Sequence, residues 1–479
     1  MESEKRIMNN KINTATVILA ASVLLTACGS GERNKASGAA QAQAKLVGSY
    51  YTDEEKTYSD EDIREEALRT VSSDDGLCTI KVMPSYYDVT LDYEKGDRAS
   101  AGRSYGTLLR EEFPDFVTTM EPYLYENVRV AYHGNYSEEA ISLRESVLLE
   151  SVRPEYKEEI CAFAEALSNG VHGFTEDGIF SYEEAILMQM IPDALRQTCC
   201  SALSLWGSKT STGDKITLRN LEWNLGSANQ MSKIHAVTHM KNGERSITAI
   251  SVLGLLDIIS GVNNDGVFAA ILDVGSVQGE AFVYEGKKCY TMELKYALEE
   301  YSTARELGEF MVGESGDFTW CHNLMISDKN ETFCAEDCVS QVSENGLGKS
   351  LLRDCNTPLI EGLTWDSEDS FCVVNSFASE GNQDGFTGIP NNAVRFAKYN
   401  EWVKAKEKFG VKDVKDLITQ EVVDQYDVIN CHSDGSAQLI IVDYHTGSVQ
   451  VAFSKPEGVE DKPDFIEVEK LTIPPYHEL

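Results

Sequence analysis

A cysteine pair followed by an arginine and a glutamate is the segment of this sequence best suited to chemistry. Cys200 follows Cys199 at the start of an apolar run, a Gly-Asp turn comes next, and the returning run carries Arg219 and Glu222. Two such runs joined by a glycine-containing turn indicate a β-hairpin, which would bring Arg219 back toward the cysteines. An arginine near a thiol favours the thiolate, which is the nucleophilic form. Spacing alone also allows an apolar hairpin with a surface salt bridge.

Other cysteine chemistries have weaker support in the sequence. A papain-type enzyme needs a histidine beside its cysteine, and His432 and His445 lie in predicted C-terminal strands, but the Cys-Gly-Ser-Cys-Trp sequence is absent. Cys334, Cys338 and the Cys-His pair at residue 431 lack a second pair at zinc-ligand spacing. We therefore expect neither a metal ion nor a cofactor.

Several short motifs, in order along the chain, resemble those of one family. The clearest is Cys-Ser-x-x-x-x-Trp-Gly from Cys200, followed by Arg-Asn-x-Glu-Trp from Arg219. The others are Gly-Arg-Ser-Tyr-Gly from Gly102, Glu-Glu-Ile-Cys-Ala-Phe-Ala-Glu from Glu158, Gly-Val-Asn-Asn-Asp-Gly from Gly261, Val-Asn-Ser-Phe from Val374 and Val-Arg-Phe from Val394. Together, over residues 100–455, they resemble the cysteine N-terminal-nucleophile (Ntn) hydrolases. Within that superfamily they resemble specifically the isopenicillin-N (acyl-CoA:6-aminopenicillanic acid) acyltransferase-like branch, which is related to penicillin V acylase and choloylglycine hydrolase.

The resemblance implies a hydrolase or acyltransferase that acts on a small N-acyl amide. Cys200 would attack the amide and carry the acyl group as a thioester. In this family the chain is cut before the nucleophile, and the freed α-amino group serves as the base. Such an amine titrates near about 7.7–8.0, so it can accept the thiol proton at neutral pH. A self-cleaved two-chain form is therefore expected.

Roles for five further residues follow from the same resemblance. Arg219 would stabilise the thiolate, and Glu222 would hold the amine in position. Asn263 and Asn375 would donate hydrogen bonds to the tetrahedral oxyanion. Arg395 would support the charge of the nucleophile or of the substrate.

Two departures from the family pattern leave an alternative open. Glu222 stands where the family usually has aspartate, and Cys199 stands where the acyltransferases commonly have glycine before the nucleophile. The alternative is a catalytically inactive, lipid-anchored binding or surface protein that retains the fold.

The order of predicted elements indicates an α+β protein. Residues 56–199 are predicted to be mostly helical, whereas residues 200–479 alternate strands and hairpins with two helical stretches. The resemblance implies an Ntn-hydrolase αββα sandwich, in which the helical N-terminal region is a pro-segment or a small subunit. Residues 200–479 would be the catalytic region.

The N-terminus resembles a bacterial lipoprotein signal peptide. Residues 1–28 contain a basic start, an apolar run and the sequence Leu-Thr-Ala-Cys ending at Cys28. The apolar run is shorter than the about 20 residues that a membrane-spanning helix needs. We expect Cys28 to carry the lipid, residues 29–55 to form a flexible linker, and the protein to be attached to the cell membrane outside the cytoplasm.

The charge of the chain limits its partners. Its 42 basic and 78 acidic residues give a net charge of −36. Because a phosphate backbone would be repelled by such a surface, no nucleic-acid partner is expected. The expected partners are the small-molecule amide and, through Cys28, the membrane.

Overall fold

The computed structural model of the chain describes residue 58 and most residues from 63 onward. These are residues 58, 63–132, 134, 137–195, 198–274, 284–339, 346, 348–382, 390–419, 421–423, 428–430, 435–458 and 462–472. The expected signal peptide, the lipidated Cys28 and the linker lie outside these residues. Within the described part of the chain, no helix is long and apolar enough to cross a membrane.

The described residues form a mixed α/β protein with ten α-helices and eighteen strands. The helices are α1 (Arg98–Glu112), α2 (Pro114–Ala131), α3 (Glu138–Ser151), α4 (Pro154–Ser168), α5 (Tyr182–Met188), α6 (Ile191–Leu195), α7 (Tyr290–Glu300), α8 (Ala304–Glu314), α9 (Pro390–Ala405) and α10 (Val411–Ile418). The strands are β1 (Arg69–Ser72), β2 (Cys78–Val82), β3 (Tyr87–Asp92), β4 (Thr198–Leu205), β5 (Ile216–Trp223), β6 (His235–Lys241), β7 (Ile247–Val252), β8 (Ser260–Asn263), β9 (Phe268–Asp273), β10 (His322–Ser327), β11 (Thr332–Asp337), β12 (Leu351–Arg353), β13 (Ser370–Val374), β14 (Glu421–Val423), β15 (Val428–Asn430), β16 (Ser436–Asp443), β17 (Ser448–Phe453) and β18 (Ile466–Lys470).

Two large sheets organise these strands. One has ten strands in the order β1-β2-β3-β6-β7-β8-β9-β10-β11-β12, and the other has six in the order β13-β4-β5-β16-β17-β18. Strands β14 and β15 form a separate antiparallel pair. The predicted hairpin around Cys200 is the β4–β5 pair, at the centre of the six-stranded sheet.

Three apolar cores pack against the two large sheets. One core joins the side chains of β6, β7 and β9 to those of β16 and β17, so it lies between the two sheets. A second core packs α9 and α10 against β4, β5, β13 and β16. The largest core joins α1–α8 to the ten-stranded sheet and also contains Cys200.

Residues before Cys200 contribute strands as well as helices. Strands β1–β3 belong to the ten-stranded sheet, and β3 pairs in parallel with β6. A buried ion pair also links this N-terminal segment to the rest of the chain. In it, Lys295 Nζ on α7 donates to Glu159 on α4 at 2.8 Å. The N-terminal segment is therefore built into the same sheet and core as the rest of the described chain.

The glycines of the Gly-Arg-Ser-Tyr-Gly motif lie where α1 meets α4. A Cβ atom added to Gly102 would come within 2.5 Å of the Glu159 carbonyl oxygen, and one added to Gly106 would overlap that of Phe163. Neither clash involves a flexible side-chain end. The spacing of the two glycines on one face of α1 thus permits the close approach of the helices.

Two buried carboxyl groups lie between α6 and the chain after β7. Asp193 accepts hydrogen bonds from Tyr290 N and Thr291 Oγ1, both at 2.6 Å. Burial raises the pKa of Asp193 to about 7, and these hydrogen bonds offset part of the effect. Burial, with a further contribution from Asp193, raises the pKa of Asp257 to about 8.

These carboxyl groups make a testable contribution to pH-dependent stability. The folded protein keeps a proton on Asp257 that the unfolded chain releases above about pH 4, so the stability gained from that proton is present at low pH and is lost as pH rises toward 8. Because Asp257→Asn is neutral at every pH, its melting temperature relative to the parent should increase by at least about 2 °C between pH 5 and pH 8. Thermal unfolding followed by calorimetry measures this difference. Asp265→Asn, at an exposed turn, is the control. If the melting temperature of Asp257→Asn differed from that of the parent by the same amount at both pH values, the prediction would be contradicted.

Candidate active site

The β4–β5 hairpin brings the predicted nucleophile and its arginine together. Cys200 is opposite Leu221, and Arg219 is opposite Ala202, so these side chains share one face of the sheet. Arg219 Nη2 lies 3.3 Å from Cys200 Sγ and also donates to Ile271 O at 2.8 Å. Both Cys200 and Arg219 are fully buried.

The electrostatic environment of the thiol contains opposing effects. Burial raises the pKa of Cys200 to about 11, while the charge of Arg219 acts to lower it. The negative charge of Asp273 acts in the same direction as burial, and the backbone N–H of Glu222 acts with Arg219. At neutral pH the thiol of the uncut chain is therefore protonated, and a reaction through the thiolate needs a base.

Two polar side chains hold the main chain of Cys200. Its N–H donates to Asn375 Oδ1 at 2.5 Å, and its carbonyl oxygen accepts from Arg395 Nη1 at 2.7 Å. Asn375 directly follows β13, which pairs with β4, and Arg395 lies on α9. Arg395 Nη2 also donates to Asn375 Oδ1 at 3.0 Å. The backbone of the nucleophile is thus held from two separate elements.

Glu222 joins this group through Arg395. It lies near the end of β5, opposite Cys199, and its Oε2 is 3.5 Å from Arg395 Nη1. Its side chain is only partly buried, in contrast to Arg395. Glu222 is therefore paired with the guanidinium group that holds the Cys200 carbonyl oxygen.

Asn263 is not joined to the other predicted residues. Its side-chain amide nitrogen donates to Leu298 O at 3.0 Å and to Tyr301 O at 2.9 Å. Its Oδ1 accepts from the N–H groups of Asp265 and Val267. Its Oδ1 thus fixes the turn between β8 and β9, and both amide hydrogens are used at the end of α7, so in this structure Asn263 offers no donor for an oxyanion.

Two residues that the sequence analysis did not select belong to the site. Asn392, one helical turn before Arg395, accepts from Arg395 Nη2 at 2.7 Å and donates to Asn375 O at 2.9 Å. Asp273, at the end of β9, accepts from Asn375 Nδ2 through its carbonyl oxygen at 2.7 Å. The i, i+3 spacing of Asn392 and Arg395 is a signal in the sequence, whereas nothing local marks Asp273.

The polar residues of the site do not form a metal-binding cluster. In the part of the chain that the structure describes, no group of three or more histidine, cysteine, aspartate or glutamate side chains is placed to hold a metal ion. The chemistry that the site can perform is that of a thiol with an adjacent guanidinium group and amide and carboxylate neighbours.

Comparison with known proteins gives matches at the level of structure. The sequence matches no family model, and no curated protein matches it. The structure is similar to solved structures of an amidase, a hydrolase and an acylase.

The first is the Caenorhabditis elegans ortholog of N-acylethanolamine-hydrolyzing acid amidase, with 12% identity over 51% of this chain and 92% of that one, at a TM-score of 0.36. The second is a variant of the conjugated bile acid hydrolase from Clostridium perfringens, with 13% identity over 58% of this chain and 99% of that one, at 0.33. The third is penicillin V acylase from Agrobacterium tumefaciens, with 12% identity over 53% of this chain and 83% of that one, at 0.29.

At these low identities and TM-scores the similarity does not decide the function. The functional conclusion therefore depends on the geometry of the site.

Proposed function

We propose that the protein is a cysteine amide hydrolase or acyltransferase that acts on small N-acyl amides with Cys200 as the nucleophile. The observation that carries the proposal is the contact between Arg219 Nη2 and Cys200 Sγ at 3.3 Å. An arginine in this position stabilises the thiolate that attacks a carbonyl carbon. Asn375 and Arg395 form hydrogen bonds with the main chain of Cys200, and these contacts support the same proposal.

The proposed reaction has two stages. In the first, Sγ of Cys200 bonds to the amide carbonyl carbon, the C–N bond breaks, and the amine leaves with the proton that the thiol gave up. In the second, water or another amine attacks the thioester and restores the thiol. If the chain is cut before Cys200, the new α-amino group is the base. Asn375 Oδ1 accepts from that nitrogen in this structure, and Glu222 is paired with Arg395, which donates to the Cys200 carbonyl oxygen.

The oxyanion of the tetrahedral intermediate needs hydrogen-bond donors. We assign Asn375 to this role through its Nδ2 amide, which donates to Asp273 O in this structure, whereas its Oδ1 accepts from Cys200 N–H. Removal of such a donor typically costs about 3–4 kcal/mol of transition-state stabilisation. Asn263 would need to give up its hydrogen bonds to Leu298 and Tyr301 to act as a second donor.

The fold and location belong to the same proposal. The core between the sheets and the helices on their outer faces support an αββα sandwich, with residues 56–199 as the pro-segment or small subunit. The motif ending at Cys28 supports a lipid-anchored protein outside the cytoplasm.

Trapping of the acyl-enzyme tests the proposed function. Protein incubated with N-acyl amides of varied acyl length and amine, then quenched in acid, should carry an acyl group on the Cys200 peptide that hydroxylamine removes. Cys200→Ala should lose the adduct and the release of free amine, a fall of at least about 10³-fold. The control is Cys372→Ala, a buried cysteine on β13 in the core on the opposite face of the same sheet, which should retain both. Absence of adduct and of amine release across the panel would favour the inactive binding protein.

A further inference from the structure

The short turn that carries Asn375 is bound by one buried side chain of the ten-stranded sheet. Strand β13 ends at Val374, and Ser376 N–H donates to Val374 O at 2.8 Å, so Asn375 is the central residue of a three-residue γ-turn. Asn323 Nδ2, on β10, donates to Val374 O at 2.9 Å and to Ser376 O at 2.8 Å. One amide group thus binds the carbonyl oxygens on both sides of Asn375. We refer to residues 374–376 as the Asn375 turn.

The orientation of the Asn323 amide follows from these partners. A carbonyl oxygen only accepts hydrogen bonds, so the nitrogen of the amide, and not its oxygen, must face the Asn375 turn. Both hydrogens of Nδ2 are then used. Asn323 is fully buried and Ser376 is 1% exposed. Loss of the amide would therefore remove two hydrogen bonds at a place where bulk solvent does not replace them.

The same sheet also binds the side chain of Asn375. Asn323 is directly opposite Leu272 on β9, and the next residue of that strand is Asp273. The Asp273 carbonyl oxygen accepts from Asn375 Nδ2 at 2.7 Å. On the other side, Asn375 Oδ1 accepts from Cys200 N–H. Two adjacent strands of one sheet therefore fix both the main chain and the side-chain amide of Asn375 against the nucleophile.

A carboxylate beside Asn323 binds the chain that follows the turn. Glu336 on β11 is directly opposite Asn323, so the two side chains share one face of the sheet. Glu336 Oε1 accepts from Ala378 N–H at 2.8 Å and from Arg353 Nε at 3.0 Å. Because the chain after the turn has this separate anchor, a change at Asn323 should act on the turn itself and not on the segment beyond it.

We propose that Asn323 is a positioning residue of the active site, which holds the Asn375 turn so that the amide of Asn375 faces the nucleophile. The inference rests on the proposed function, in which that amide stabilises the oxyanion. Asn323 acts through Asn375 and not through contact with the substrate. The contacts run from Asn323 to the carbonyl oxygens of the turn, and from the Asn375 side chain to the main chain of Cys200.

Hydrogen exchange of the full chain tests the contact with the turn without any catalysis. Ser376 N–H lies beyond the end of β13, yet in the parent it should exchange as slowly as the N–H groups of that strand. Asn323→Asp keeps the shape but replaces the donor by an oxygen. Ser376 N–H should then exchange at least about tenfold faster, as expected for the loss of one or two hydrogen bonds. Ala378 N–H, which Glu336 binds, is the internal reference.

Mass spectrometry with electron-transfer fragmentation resolves these positions. Rapid exchange of Ser376 N–H in the parent protein would overturn the proposal even if the Asn323→Asp variant failed to fold. Equal exchange rates in the parent and the variant would overturn it as well.

A double-mutant cycle tests whether Asn323 acts on catalysis through Asn375. Asn375→Ala should lower kcat by at least about 10²-fold, as for other oxyanion donors. Asn323→Asp should lower kcat at least about tenfold in the parent, but less than about twofold when Asn375 is already alanine, because residues that act through one group are not additive. A purely structural role would give the same factor in both backgrounds, and that result would overturn the proposal.

Gln189→Glu is the matched control for Asn323→Asp. Gln189 is also fully buried, and its Nε2 donates to Gly254 O at 2.7 Å, so the same change of amide to carboxyl is made at another main-chain contact. This variant should keep the kcat of the folded protein and the slow exchange of Ser376 N–H. A parent that hydrolyses no amide would refute the proposed function, while slow exchange at Ser376 that Asn323→Asp abolishes would still support the contact between Asn323 and the turn.

Discussion

Denaturing mass analysis of residues 46–479 is expected to return two fragments, the second of which begins at Cys200. The thiol would attack the carbonyl carbon of Cys199, the peptide C–N bond would break, and water would then release the N-terminal piece from the thioester. The nitrogen of Cys200 would leave as a free amine. Arg219 at 3.3 Å from Sγ supports this use of the thiol.

Two variants make the cleavage experiment decisive. Cys200→Ala lacks the nucleophile and should stay whole under the same reducing conditions. Cys199→Ala keeps the nucleophile and should still be cut. If the parent and both variants remain single chains, self-processing is wrong, and Cys200 would need an external protease or would have no α-amino group to serve as its base. Cleavage of the Cys200→Ala variant would point to a contaminating protease.

Replacement of Gly106 by alanine adds only one methyl group but should lower the free energy of unfolding. The new Cβ would overlap the Phe163 carbonyl oxygen and lie 3.1 Å from the Ala166 Cβ, so α1 and α4 would have to move apart. Overpacking of this kind costs about 1–3 kcal/mol. For a chain of this length we expect the melting temperature to fall by about 1–3 °C, measured by calorimetry.

Gly313→Ala is the matched control for this substitution. Gly313 is also helical, on α8, but a Cβ atom there would meet nothing within 4 Å. Alanine favours a helix over glycine by about 1 kcal/mol, so this variant should be as stable as the parent or slightly more so. Equal melting temperatures for the two variants would show that the contact between α1 and α4 tolerates the extra methyl group.

The part of the site that lies on one hairpin can be predicted from the sequence. The alternation of apolar residues and the Gly-Asp turn are local signals, and together they are sufficient to place Arg219 near Cys200. Likewise, Pro114 and Pro154 mark helix starts, because proline is well suited to the first turn of a helix. The apolar pattern around residues 292–312 also indicates helix, but it does not show that Tyr301 ends α7 before α8 begins.

The rest of the site depends on contacts between distant segments. Asn263 carries a motif, yet its hydrogen-bond partners Leu298 and Tyr301 are fixed by the packing of α7, which the motif does not encode. Asn323 reaches the turn at Asn375 only through the packing of one sheet on the other and the register of β9 with β10. A shift of β10 by one residue would point its side chain to the other face of the sheet, and nothing in the local sequence specifies the pairing.

The parallel pairing of β3 with β6 has a practical consequence for a cut chain. A break before Cys200 would leave the two pieces joined by a sheet and a shared core, so the protein should keep its native size and elute as one particle in gel filtration. Conversely, residues 200–479 produced alone would expose the backbone N–H and C=O groups of β6 as an open sheet edge, a common site of aggregation. Residues 200–479 should therefore be prepared from the longer chain and not as a truncated gene product.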